Sequence, residues 1–97
     1  MVNRQSILAA LKQAKPSLAE KYGVKDIALF GSYSRNTAVP GKSDADVMVA
    51  FYQPIGLAFV DLADELEHLL QIKVDLVSRN AIKPKYFSVI EPDLIYV

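Results

Sequence analysis

The sequence predicts an α+β fold, a small mixed β-sheet of three to four strands packed against helices. Three observations carry that expectation. The run "ADVMVAFY", residues 45–52, is rich in β-branched and aromatic side chains and reads as a strand. Phe59, Leu62, Leu66, Leu69 and Leu70 then recur at helical spacing. Across 97 residues, helices and strands interleave without a repeat or linker, and that length suffices for one core but not two. Residues 1–97 are therefore expected to form a single domain.

The elements follow in order α-α-β-loop-β-α-β-α-(β). Asn3 is a plausible N-cap for an amphipathic helix over residues 4–14, whose apolar positions are Ile7, Leu8, Leu11 and Ala14. Pro16 is expected to interrupt it, with "SLAEKYG" restarting a short helix through a Ser17–Glu20 capping box and stopping at Gly23. "KDIALF" is a strand ending at Gly31. Residues 32–43 are a loop, with room for one helical turn over 33–37. After the strand at 45–52, Pro54 and Gly56 punctuate the chain. A helix over 57–70 then points Asp61, Asp64, Glu65 and Glu67 to water. "KVDLV" is a third strand, and "KPKYFSVI" a short helix with Pro84 in its first turn, where a missing N–H costs least. Pro92 ends that helix, and "LIYV" closes the chain as an edge strand.

Composition narrows the function. With 52% apolar and 23% charged residues, the chain is an ordinary folded globule. A formal charge of zero argues against a domain that grips duplex phosphates, because those carry a basic stripe. The absence of cysteine removes disulfides and thiolate zinc sites and fits a reducing cytoplasm. The N-terminal stretch lacks a cleavage-site pattern, and the longest apolar run, "VMVAFY", is far short of a membrane span.

The stretch "GKSDADVMVAF", residues 41–51, holds the chemistry. Its glycine-lysine-serine is not a phosphate-binding P-loop. "NTAVPGKS" puts Asn36 where the first glycine belongs, and a strand follows where a helix is required. The aspartates are more informative. Residues two apart on a strand share a face, about 6–7 Å apart, so Asp44 and Asp46 project together. Two carboxylates at the rim of an apolar sheet repel and lose solvation. A hard divalent cation such as Mg²⁺ reverses that balance and keeps waters that substrate phosphates replace. Asp75 sits mid-strand in "KVDLV", where packing would select an apolar residue, and can face the same site if the third strand lies beside the second. Taken alone, the Asp44–Asp46 pair reads first as a solvated turn, and Asp75 can be a charge guarding a sheet edge. Upstream, "LFGSYSR" places Gly31 and Ser32 directly after a strand, where glycine lets backbone approach a phosphate closely. His68, the only histidine, reads as a solvated helix residue, and Tyr33 as either a base-stacking or a core aromatic.

Together "FGSYSR" at 30–35, "SDADVMVAF" at 43–51 and "KVDLV" at 73–77 resemble the minimal nucleotidyltransferase (MNT) domains of the DNA polymerase β-like nucleotidyltransferase superfamily. The resemblance covers nearly the whole chain, including "EPDLIYV" at its end. It implies a nucleotidyltransferase-like fold and transfer of a nucleoside monophosphate from ATP or another nucleoside triphosphate to an acceptor hydroxyl. It implies that Asp44, Asp46 and Asp75 bind two Mg²⁺ ions, with Asp75 also helping to deprotonate the acceptor. It assigns the triphosphate to Gly31 and Ser32, with Arg35 and Ser43 as phosphate contacts or loop supports. It also implies a HEPN-domain partner in a toxin–antitoxin pair, with this chain as antitoxin. Two departures stand out: Asn36 replaces the glycine that commonly follows the arginine, though asparagine tolerates a left-handed backbone, and Ala45 is smaller than the usual isoleucine. The alternatives are a binding module that neutralises its partner by contact alone, and a nucleotide-sensing domain. Direct nucleic-acid binding and membrane association are not expected, and homo-oligomerisation stays open.

Overall fold

The computed structural model describes residues 2–97. Helix α1 spans Arg4–Tyr22, strand β1 Val24–Phe30, the short helix α2 Gly31–Ser34, and strand β2 Ala45–Phe51. Helix α3 (Ala58–Leu70) leads to strand β3 (Val74–Ser78) and a 3₁₀ turn at Arg79–Ala81. Helix α4 (Pro84–Ile90), a 3₁₀ turn at Glu91–Asp93 and strand β4 (Ile95–Tyr96) complete the chain. The sheet order is β3-β2-β1-β4, with β2 and β3 parallel and β1 antiparallel to both β2 and β4. The expected mixed four-stranded sheet is what forms. Among the described residues no helix is long and apolar enough to cross a membrane.

The two faces of the sheet do different work. Ile27 and Leu29 of β1, Ala45, Val47 and Val49 of β2, and Val74 of β3 point to one face. There they join Ile7, Leu11 and Leu18 of α1 and Leu62, Leu66 and Leu70 of α3 in one buried cluster. Tyr33 belongs to it as well, 4% exposed, which settles it as a core aromatic. The alternate residues Ala28, Phe30, Asp46, Met48, Asp75 and Val77 share the opposite face through the strand registers Ala28↔Met48, Phe30↔Asp46, Asp46↔Asp75 and Met48↔Val77. Helix α4 stands over part of it, and Phe30, Val77, Tyr86 and Ile90 line a shared cleft of about 370 Å³.

Helix α1 departs from expectation. It begins at the expected Asn3 cap, whose side chain accepts the Ser6 N–H at 2.8 Å, but runs unbroken through Pro16 to a left-handed Gly23 (φ 70°). A proline inside a helix costs about 3 kcal/mol in a lost hydrogen bond and a steric clash. Here the apolar stripe stays in phase across it: Ile7, Leu11 and Leu18 are all at most 2% exposed. Each such side chain contributes about 1.5–3 kcal/mol when buried, so packing on both sides of Pro16 wins. Pro16 itself is exposed, as is Lys12, whose carbonyl loses its partner and can bond water instead.

Helix α3 matches expectation in span but not in every charge. Glu65 Oε1 accepts from Lys21 Nζ and from the Tyr22 hydroxyl, both at 2.8 Å, tying α3 to the end of α1. Glu67 Oε2 accepts the Val74 N–H at 2.9 Å and so caps the start of β3. His68 is exposed, as expected. The helical turn expected at 33–37 lies two residues earlier, as α2.

Replacing the exposed proline should restore the helix hydrogen bond without touching the core. Pro16→Ala is expected to raise unfolding stability, by up to about 3 kcal/mol, measured by urea denaturation at unchanged m-value. A loss of stability would mean that Pro16 restricts the unfolded chain by more than the recovered hydrogen bond is worth.

Candidate active site

The site is built by strand register. Asp46, second residue of β2, lies directly beside Asp75, second residue of β3, in the parallel ladder. Residues paired this way point to the same face, so the two carboxyls meet on the side away from α1 and α3. They are neighbours across the ladder, so each carboxyl lies in the field of the other. Asp44 stands one residue before β2, where the ladder opens with the Ala45 N–H donating to the Lys73 carbonyl at 2.9 Å. Its charge reaches Asp46 more weakly than that of Asp75.

The electrostatics follow from that crowding. Partial burial first, then the adjacent Asp75 and more weakly Asp44, push the Asp46 carboxyl up from 3.8 to about 6, while the Arg35 guanidinium pulls the other way. A carboxylate costs more to ionise when it is desolvated beside like charges. The site thus concentrates negative charge that lacks a full counter-charge in the protein.

The second part of the site is the turn after β1. Because Phe30 pairs with Asp46, Gly31 falls directly against the Asp46 side chain. Gly31 has φ 76°, and a Cβ there would overlap Asp46 Oδ2 and lie 2.9 Å from its Cγ. Only glycine satisfies both the left-handed backbone and the contact. Ser32 follows in α2, half-buried, with its carbonyl accepting the Thr37 N–H at 2.8 Å. Asn36 adopts φ 65°, so asparagine carries the left-handed position that glycine commonly fills. Ser43 turns inward, its Oγ accepting the Val39 N–H at 2.8 Å, which braces the loop between α2 and β2. Arg35 reaches across to Asp93, Nη1 to Oδ2 at 2.7 Å.

Of the residues singled out in the sequence, the fold therefore brings Asp46, Asp75 and Gly31 into contact, with Asp44 and Arg35 close enough to act on Asp46 by charge. Ser32 follows Gly31 in the same turn, and Ser43 braces the loop through Val39. Among the described residues no three acidic or histidine side chains close into a ready cage. The donor set still suits a hard divalent cation, since it consists of carboxylate oxygens set beside one another. The role of the C-terminal turn was missed. "EPDLIYV" reads as a helix stop, an edge strand and the end of the family resemblance, and nothing local in it signals that Asp93 docks on α2.

The mixed sheet is that of a nucleotidyltransferase fold, as its structural likeness shows. The nucleotidyltransferase domain family matches residues 11–97, and the chain belongs to it. It is 54% identical over 89 residues to MJ0128 of Methanocaldococcus jannaschii, which carries a provisional protein adenylyltransferase name, covering 90% of each chain. It is 36% identical over 98 residues to the protein adenylyltransferase MntA of Thermococcus cleftensis, covering 100% of this chain and 98% of that one. Among solved structures, one provisionally named a minimal nucleotidyltransferase superposes with a TM-score of 0.79 at 29% identity, covering 98% and 96% of the two chains. A toxin–antitoxin crystal structure with AMP-PNP superposes with a TM-score of 0.70 at 26% identity, covering 98% of this chain and 72% of that one.

Two consequences can be measured on the unliganded protein. Because the folded Asp46 holds its proton to about pH 6 while the unfolded chain releases it near 3.8, ionising Asp46 destabilises the fold. That cost is absent below pH ~4, grows as pH rises towards 6, and is complete above it. Its upper bound is about 3 kcal/mol, and solvent screening of a half-buried group reduces it to about 1 kcal/mol. Asp46→Asn is therefore expected to melt about 4–8 °C higher than wild type at pH 8 and at the same temperature at pH 4. Equal melting at both values would show that the crowding is relieved in solution. Gly31→Ala should cost about 1–3 kcal/mol at any pH, because backbone strain does not titrate; thermal melts at the same two pH values check that independence.

Proposed function

We propose that the chain is a Mg²⁺-dependent adenylyltransferase that moves AMP from ATP to a hydroxyl of a partner protein, and that this partner is a HEPN-domain toxin for which the chain is the antitoxin. The observation that carries the reading is the Asp46–Asp75 pair beneath the Gly31 turn. It sets acidic oxygens beside a backbone that a phosphate can approach closely. The protein adenylyltransferase name of the Thermococcus relative supports AMP as the group transferred. AMP-PNP in the toxin–antitoxin neighbour supports ATP as its donor and antitoxin as the role. The HEPN class of the partner comes from the family resemblance, and a chain without cysteine suits work in the reducing cytoplasm.

In this reading Asp44, Asp46 and Asp75 would hold two Mg²⁺ ions, which would supply stabilisation of the negative charge that develops at the phosphoryl centre. Gly31 and Ser32 seat the triphosphate, Arg35 adds a guanidinium to it, and Ser43 keeps the loop closed behind them. Asp75, exposed at the rim, takes the proton of the acceptor hydroxyl as its oxygen bonds to the α-phosphorus and pyrophosphate leaves. Asp46 must be ionised to serve, so activity is expected to fall as pH drops below about 6. Because a bound cation favours the ionised form, Mg²⁺ should move that midpoint lower.

The test is a transfer assay with the purified chain, the product of its neighbouring gene, labelled ATP and Mg²⁺. Label should move to the neighbour, and Asp46→Asn should abolish the transfer while the fold stays intact. Undiminished labelling by that variant would sink the assigned site. Full neutralisation of the toxin by the same variant would show that binding alone is the function.

A further inference from the structure

The turn that carries Gly31 and Ser32 is gripped from two sides. Arg4 of α1 donates through Nη1 to the Ser34 carbonyl at 3.2 Å. On the other side stands the 3₁₀ turn before β4. The Ser34 hydroxyl donates to the Asp93 backbone carbonyl, and Arg35 Nη1 donates to Asp93 Oδ2 at 2.7 Å. Two successive residues of one turn are thus tied to a single residue 58 positions beyond Arg35.

Stability does not explain the ion pair. The Arg35 side chain is 51% exposed and that of Asp93 23%, and pairs this open to solvent add little to folding. Geometry explains it better. A guanidinium carries five N–H donors in a rigid planar fork. Asp93 engages the fork at Nη1 and fixes its direction. Arg35 is also tied to the site through its backbone, since its N–H donates to the carbonyl of Gly31, the residue laid against Asp46, at 3.0 Å, while Asp93 holds its guanidinium. An arginine this exposed would otherwise sample many rotamers, and a ligand would have to order it on binding.

We infer that Asp93 is a positioning residue for nucleotide binding: it holds the Arg35 guanidinium, and the α2 turn beneath it, in the orientation that receives the polyphosphate of a nucleoside triphosphate. The inference rests on the function proposed above, which supplies the ligand. Asp93 acts only through Arg35 and Ser34.

The experiment measures binding of a fluorescent ATP analogue to the full chain in the presence of Mg²⁺, with melting temperature as a fold control. Asp93→Asn keeps the side-chain volume and the backbone carbonyl, and is expected to raise Kd about tenfold, the scale of a hydrogen bond to a charged group, with little change in melting. Arg35→Ala should weaken binding at least as much. The Arg35→Ala/Asp93→Asn double variant should bind no more weakly than Arg35→Ala alone, because the aspartate then has nothing to position. Unchanged or tighter binding by Asp93→Asn, or losses that add in the double variant, would overturn the assignment; tighter binding would mean that Asp93 competes with phosphate for the arginine. Wild-type protein that binds no ATP analogue would instead overturn the proposed function, and this inference with it.

Discussion

The parallel pairing of β2 with β3 places two like charges side by side, and the rest of the molecule is arranged around that unfavourable contact. A one-residue slip would rotate Asp46 into the apolar cluster and Val47 into the site. The register is held because Ala45, Val47 and Val49 on one side of β2 and Val74 on β3 must face the helices. Core packing therefore fixes the geometry of the acids, and the Glu67 carboxylate on the Val74 N–H anchors the start of the same strand.

A site assembled this way is preorganised at a cost. Like-charge crowding and partial desolvation hold Asp46 above the normal carboxylate range, and Gly31 gives up a side chain so that backbone can lie against it. Both features lower the stability of the empty protein and favour the entry of positive charge. This is the usual trade at a functional site, where local rules are broken and the surroundings compensate. Here the compensation is the buried cluster shared by α1, α3 and the sheet.

Much of this was legible in the sequence. Each strand announced itself by β-branched and apolar runs, and Asp75 stood out because an acid is out of place in "KVDLV". Asn36 was readable as a left-handed residue from its type alone, and the structure gives it φ 65°. What could not be read depends on contacts distant in sequence. Pro16 looked like a helix breaker because the breaking cost is local, whereas the burial of Leu18 that offsets it is tertiary. Glu65 and Glu67 looked solvated because the partners they meet lie in α1 and at the start of β3. Asp93 carried no signal, since its meaning depends on docking the C-terminal turn against a loop 58 residues earlier.

The elevated proton affinity of Asp46 has a further consequence. If a divalent cation binds beside it as proposed, it displaces a proton in part of the neutral-to-acid range, so occupancy would depend jointly on metal supply and acidity. In a calorimeter the heat of capture would then vary with the ionisation enthalpy of the buffer.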